Sequence, residues 1–137
     1  MTAEPAAPAT ESVVRHHLSA FLEQKGVAAI VSDYDDDARF LTEAGIYRGK
    51  EEISRFFTGF LAALPAGALD RFTLRSLRVD GNVACITWSV GTDIPLGTDT
   101  FVVAGGKLVS QTFAMYAGPV PQATPAGPVS PAAAGPG

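Results

Sequence analysis

Apolar residues recur along this chain first at helical and then at strand spacing. Val14, Leu18, Phe21 and Leu22 keep a helical repeat within Glu11–Lys25, with Thr10 placed to cap its start and Gly26 to end it. Val27, Ile30, Val31 and Tyr34 predict a second, short helix over Val27–Tyr34. An acidic turn, Asp35-Asp36-Asp37, leads into a short strand over Ala38–Glu43, and residues 45–49 read as a loop. The clearest stripe lies in Lys50–Leu64, where Ile53, Phe56, Phe57, Phe60, Leu61 and Leu64 share one helical face. Glu51 and Glu52 suit the positive end of that helix, and Pro65 follows its last turn. From Arg71 onward the period is two. Strands over Arg71–Val79 and Val83–Thr92 flank Asp80-Gly81, a hairpin signal. Strands over Thr98–Val103 and Leu108–Tyr116 flank a second turn at 104–107, and Pro95 and Gly97 mark a loop between the two pairs. Helices segregated from strands predict an α+β fold, with the helices on one face of a curved sheet.

Composition narrows this to one domain. The chain has 137 residues, and its ends differ in kind from its middle. Residues 1–10 are rich in Ala, Pro and Thr and predict a flexible N-terminus. Residues 118–137 hold six prolines, four glycines and no charge, and predict a disordered tail. The folded core is expected over residues 11–117. A net charge of −4 does not suit a nucleic-acid binder, which needs a basic surface. No run approaches the roughly 18 apolar residues of a membrane helix, and Met1–Thr10 has neither the basic nor the apolar region of a secretory signal. The expectation is a cytoplasmic protein. The single cysteine, Cys85, can form neither an internal disulfide nor a cysteine-cluster zinc site. No phosphate-binding glycine loop, paired-histidine metal motif or serine nucleophile elbow is present, so no metal and no cofactor are expected.

Alternation sorts the strand residues into faces. Asp99, Phe101 and Val103 share one face, which reads as inner because two of the three are large and apolar. A carboxyl group there is short of water, and desolvation raises its pKa toward proton exchange at neutral pH. Ala84, Ile86, Trp88 and Val90 read as the inner face of the neighbouring strand, with Cys85 on the opposite side. Trp88 suits stacking on a planar ligand and equally suits core packing. His17 falls on the apolar stripe of the first helix, either as a neutral general base or acid or as a hydrogen-bonded histidine at the helix–sheet seam. Phe72, Leu74, Leu77 and Val79 place apolar area on both faces of their strand, in keeping with a homodimer.

The order of elements, with Tyr34-Asp35-Asp36-Asp37-Ala38 before the first strand, Tyr47-Arg48-Gly49-Lys50-Glu51-Glu52-Ile53 entering the third helix, Phe56-Phe57 within it and Gly106-Lys107-Leu108-Val109-Ser110 opening the last strand, resembles the nuclear transport factor 2-like superfamily. Ketosteroid isomerases and SnoaL-type polyketide cyclases belong to it. The resemblance spans residues 11–117. It implies a cone: a strongly curved, mostly antiparallel sheet wrapped around a long helix, with two further N-terminal helices and a pocket at the wide end. Members often pair through the sheet. The same turn chemistry favours a structural role for Asp35, Asp36 and Asp37 over a metal site.

The resemblance also implies roles. Asp99 stands where ketosteroid isomerase keeps a protonated carboxyl that donates to the substrate oxyanion; that enzyme is a worked case of the effect. His17 replaces the isomerase tyrosine and Thr42 its carboxylate base, so steroid isomerisation by the usual pair is not expected. The family register turns Gln111, Phe113 and Met115 inward. The expected function is a cofactor-free acid/base enzyme acting on a small apolar, carbonyl-bearing molecule by isomerisation, cyclisation, hydration or dehydration. Asp99 and His17 are its expected catalytic pair. Thr42 and Gln111 orient the substrate, between walls of Phe40, Phe56, Phe57, Phe60, Ile86, Trp88, Phe101, Phe113 and Met115. The rival expectation is a non-catalytic binding or dimerisation module with the same cone.

Overall fold

The structure, a computed structural model, describes residues 6–117; the tail expected at 118–137 lies outside the described residues. Three helices, α1 (Ala6–Leu22), α2 (Val27–Val31) and α3 (Gly49–Ala63), combine with six strands: β1 (Tyr34–Thr42), β2 (Gly45–Arg48), β3 (Phe72–Asp80), β4 (Val83–Val90), β5 (Ile94–Ala104) and β6 (Lys107–Tyr116). A 3₁₀ turn, Ala68–Arg71, leads into β3. The strands form one sheet in the order β2-β1-β6-β5-β4-β3. β1 and β6 run parallel, and the other neighbours are antiparallel. The result is the cone-shaped α+β fold expected.

Burial follows the alternation. Ala84, Ile86, Trp88 and Val90 on β4 are all buried, as are Asp99, Phe101 and Val103 on β5. The stripe of α3 packs across β1, where Phe40 lies stacked on Phe57 with ring centroids 5.7 Å apart and edge-on to Phe56 at 4.7 Å. Each such buried aromatic ring contributes roughly 1.5–3 kcal/mol through removal from water.

Several boundaries differ from the sequence expectation, each for a local reason. Helix α1 starts at Ala6, not after Thr10. Pro8 falls in its first turn, where a missing N–H costs nothing, and Thr10 is buried with its hydroxyl 2.9 Å from the carbonyls of both Ala6 and Gly81. Tyr34 opens β1 and does not end α2. The acidic run lies inside that strand, where the Asp37 amide donates to Asp35 Oδ2 at 3.0 Å and Asp36 pairs with Lys50 at 3.6 Å. The register between β1 and β6 breaks across this run, between Tyr34 and Arg39, which is why it reads as a turn. Residues 45–48, expected as loop, pair with β1 as β2.

Two departures shape the sheet. A one-residue irregularity between Leu74 and Ser76 returns Leu77 and Val79 to the face of Phe72 and Leu74, opposite Ile86 and Ala84. All four pack against the core, so the two-faced apolar strand that had favoured a homodimer is not there. β5 also runs straight through Pro95 and Gly97, where a loop was expected. Gly97 faces Trp88 across the ladder, and a Cβ there would come within 2.2 Å of the indole ring. The glycine is required by the tryptophan lying flat on β5, not by a turn. Among the described residues no helix is long and apolar enough to cross a membrane.

Substituting Gly97→Ala should therefore push the Trp88 indole off its seat. Overpacking of this kind costs about 1–3 kcal/mol. Urea unfolding should show that loss together with an altered native Trp88 emission. An alanine variant of unchanged stability and emission would contradict the close packing.

Candidate functional site

Between α1, α3 and the inner face of the sheet lies a cavity of about 50 Å³. Since a buried water needs roughly 10–15 Å³, it has room for only a few waters. Of the expected site residues, it brings together His17 from α1; Phe56, Phe57 and Phe60 from α3; Phe40 from β1; Ile86 and Trp88 from β4; Asp99 and Phe101 from β5; and Gln111 and Phe113 from β6. Leu18, Phe21 and Phe72, which the sequence reading did not single out, complete the wall. Their helical and strand stripes carried that signal.

Two expected contacts fall elsewhere. Thr42 sits at the β1–β2 turn, where its oxygen accepts from the amides of Ala44 and Gly45 at 3.1 and 3.2 Å and its hydroxyl donates to the Gly45 carbonyl. Its hydroxyl closes that hairpin and does not line the cavity. Met115 lies beyond the cavity, in a surface groove with Phe60, Leu64, Pro65 and Ile94. Cys85 is half-buried on the opposite face of β4, with its sulfur 4.0 Å from the Thr98 hydroxyl. Among the described residues, no cluster of three His, Cys, Asp or Glu side chains could hold a metal ion.

The polar heart of the cavity is built on diagonal contacts between strands. Asp99 is paired across the ladders with Ile86 on β4 and Phe113 on β6. Its carboxylate reaches past both. Trp88 donates its indole N–H to Oδ1 at 2.7 Å, and Gln111 donates from Nε2 to Oδ2 at 2.7 Å. Gln111 Oε1 in turn accepts from the Tyr34 hydroxyl. Trp88 is clamped between Phe72 and Phe113, with centroids 5.5 and 6.2 Å away and rings within 24° of parallel. Tyr34, missed by the sequence reading, is fully buried. No local signal marks it, because its partner lies 77 residues away.

Burial sets the electrostatics. Asp99 is only 7% exposed, and desolvation raises its pKa from 3.8 to about 6, against the pull of the Trp88 and Gln111 hydrogen bonds toward the ionised form. His17 moves the other way. Its burial lowers the pKa from 6.5 to about 4, with only partial opposition from the Asp33 charge and the Ile30 backbone. The ring is neutral at pH 7 and meets Tyr34, Phe57 and Phe101 edge-on. Its Nδ1 is the one buried side-chain polar atom without a hydrogen-bond partner among the described residues. Burial and the Asp99 charge push the Tyr34 hydroxyl well above its ordinary value, so it remains a donor at all working pH.

Comparison with known proteins agrees with this architecture. The SnoaL-like domain family matches residues 14–111. A nuclear transport factor 2-like protein of unknown function from Mesorhizobium loti superposes with a TM-score of 0.68 at 16% identity, over 84% of this chain and 97% of that one. A SnoaL-like protein of unknown function from Burkholderia thailandensis E264 gives 0.66 at 17%, over 82% and 99%. A Kribbella flavida DSM 17836 protein provisionally named a ketosteroid isomerase gives 0.65 at 17%, over 89% and 88%. At these identities the structures establish a shared fold. No curated protein matches the sequence.

The two shifted groups make stability depend on pH in opposite senses. Folding favours neutral Asp99, so its contribution is present below the unfolded pKa of 3.8 and is lost as pH rises through about 6. Folding also favours neutral His17, so that contribution is lost as pH falls from 6.5 toward about 4. Each shift corresponds to roughly 3 kcal/mol. Between pH 4 and pH 8, wild type should lose about that much stability relative to Asp99→Asn in urea titrations. Parallel curves for the two proteins would show that Asp99 is not desolvated.

Proposed function

The chain belongs to the SnoaL-like domain family of the nuclear transport factor 2-like superfamily, and from that premise we propose that it is an acid/base enzyme for a small, largely apolar, carbonyl-bearing molecule, with Asp99 as the proton-transfer group. The observation carrying this reading is a carboxylate held by two N–H donors in an aromatic cavity, with its pKa raised to about 6. A base works best when its pKa lies near the operating pH. At pH 7 a group of this pKa is roughly nine-tenths ionised, so Asp99 is a ready acceptor. Trp88 and Gln111 fix its orientation before substrate arrives, and preorganised geometry of this kind carries much of a proton-transfer rate.

This role differs from the neutral donor that the isomerase resemblance implies. Both carboxylate oxygens face N–H groups, an arrangement suited to the ionised form. The fitting chemistry is removal of a proton from a carbon beside a carbonyl, followed by its return at another atom. Removal and return together give isomerisation, and the removal step alone is the first half of an aldol-type cyclisation or an elimination. Neutral His17 brings no charge to the site, and the phenyl walls supply shape and exclusion of water.

A second reading is a small-molecule binder with the same pocket. It is favoured by the narrow cavity and by His17 being unable to serve as a charged partner near neutral pH.

A small β,γ-unsaturated cyclic ketone separates the two. An acid/base enzyme takes up deuterium from D₂O into the ketone and conjugates it, with kcat/KM rising through a midpoint of about 6 and then levelling, as the Asp99 pKa requires. Asp99→Asn should lower kcat/KM by roughly 10²–10⁴. Full turnover in Asp99→Asn, or a rate that falls across that midpoint, would refute the base role; binding without exchange would select the binder.

A further inference from the structure

We propose that Tyr34 is a positioning residue for this site: acting through Gln111, it commits Asp99 to accepting hydrogen bonds, so that the cavity favours a ligand bringing an O–H or acidic C–H donor over one offering only an acceptor.

The argument follows the chain of donors. A glutamine amide has one accepting and one donating end, and a half-turn exchanges them. With its carbonyl toward Asp99, Gln111 would suit a protonated carboxyl. With its NH₂ toward Asp99, it suits a carboxylate. Tyr34 decides between the two orientations. Its hydroxyl donates to Gln111 Oε1, which leaves Nε2 to face Asp99 Oδ2 at 2.7 Å. The Tyr34 oxygen could accept from a reversed amide, but its O–H would then lose Oε1, its acceptor among the described residues, and with Tyr34 0% exposed and Gln111 2% exposed no water replaces it. Tyr34 holds its proton throughout the working range. The second carboxylate oxygen is held by Trp88, whose ring cannot turn because Gly97 and Phe113 enclose it. Trp88 and Gln111 therefore each spend an N–H on Asp99, and the group with most capacity left for a ligand at this end of the cavity is the carboxylate, through its unused lone pairs.

The other groups around Asp99 supply no competing charge. α1 contributes His17, neutral at pH 7, and the cavity lining from α3, β3, β4 and β6 carries no charge. Asp33 acts on His17 and Tyr34 as a neighbouring negative charge.

The chain's one tryptophan, Trp88, donates directly to Asp99, so its emission reports the Asp99 titration without a label. Tyr34→Phe should raise that midpoint by about one unit, because a carboxylate that loses a firmly held donor binds its proton more tightly. In a Gln111→Leu background, where the midpoint is already raised, adding Tyr34→Phe should change nothing further. At pH 8, wild type should bind phenol roughly tenfold more tightly than toluene, its isostere without a donor, and Tyr34→Phe should shrink that ratio. A Tyr34→Phe midpoint equal to wild type, or effects of the two substitutions that simply add, would overturn the lock; phenol binding no better than toluene would overturn the ligand class. Should Tyr34→Phe not fold, the Gln111 side-chain amide of the native protein decides. A Gln111 N–H in ¹⁵N NMR that is protected from exchange with water and shifts as Asp99 ionises supports the lock, and a Gln111 amide that exchanges freely or ignores that titration refutes it. The inference rests on Asp99 being the proton-transfer group, but none of these readouts needs turnover, so a protein that titrates as described and catalyses nothing would refute the enzyme and leave the lock intact.

Discussion

A carboxylate removed from water must find hydrogen-bond donors or give up its charge, and this structure does part of each for Asp99. Aromatic walls remove the water and raise the pKa, while the Trp88 and Gln111 N–H groups hold the charged form within reach of neutral pH. Either effect alone would give a group of little use for proton transfer at pH 7. Full burial without donors would leave a permanent acid, and a wet carboxylate would remain a permanent, weak base. The balance depends on two side chains approaching diagonally from the strands on either side of β5.

The surrounding fold can be understood as what those two contacts require. Trp88 reaches Asp99 only because Gly97 leaves room above β5, and it stays there because Phe72 and Phe113 sandwich the indole. Gln111 presents its NH₂ end because Tyr34, brought alongside by the parallel pairing of β1 with β6, occupies its carbonyl. The aromatic stripe of α3 closes the other side. The same packing that makes the core stable thus excludes water from the site, and it also keeps the cavity small. Any ligand it accepts must be compact or must displace a half-buried ring such as Phe60.

Much of this was legible in the sequence because it is periodic. The stripe of α3 and the alternation on β4 and β5 place Phe57, Trp88, Asp99 and Phe101 inward with no knowledge of contacts, and the structure puts each of them in the cavity wall. What periodicity does not encode is register. The irregularity beside Leu74 reversed the reading of Leu77 and Val79 and removed the apolar outer face that had favoured a dimer. Thr42 lay at the right point in the order of elements, yet its hydroxyl closes the β1–β2 hairpin. Gly97 looked like a turn residue, since a glycine required by a neighbouring ring carries the same letter as one required by a backbone angle. Tyr34 and Gln111 are joined only by the fold.

The central claim is that Asp99 is held out of bulk water and poised near neutrality. A ¹³C NMR titration of the side-chain carboxyls in the ligand-free protein tests it most directly. The account predicts that the Asp99 carboxyl titrates with a midpoint of about 6. A midpoint at the ordinary 3.8 would mean that water reaches the carboxylate, and the account of this site would fail.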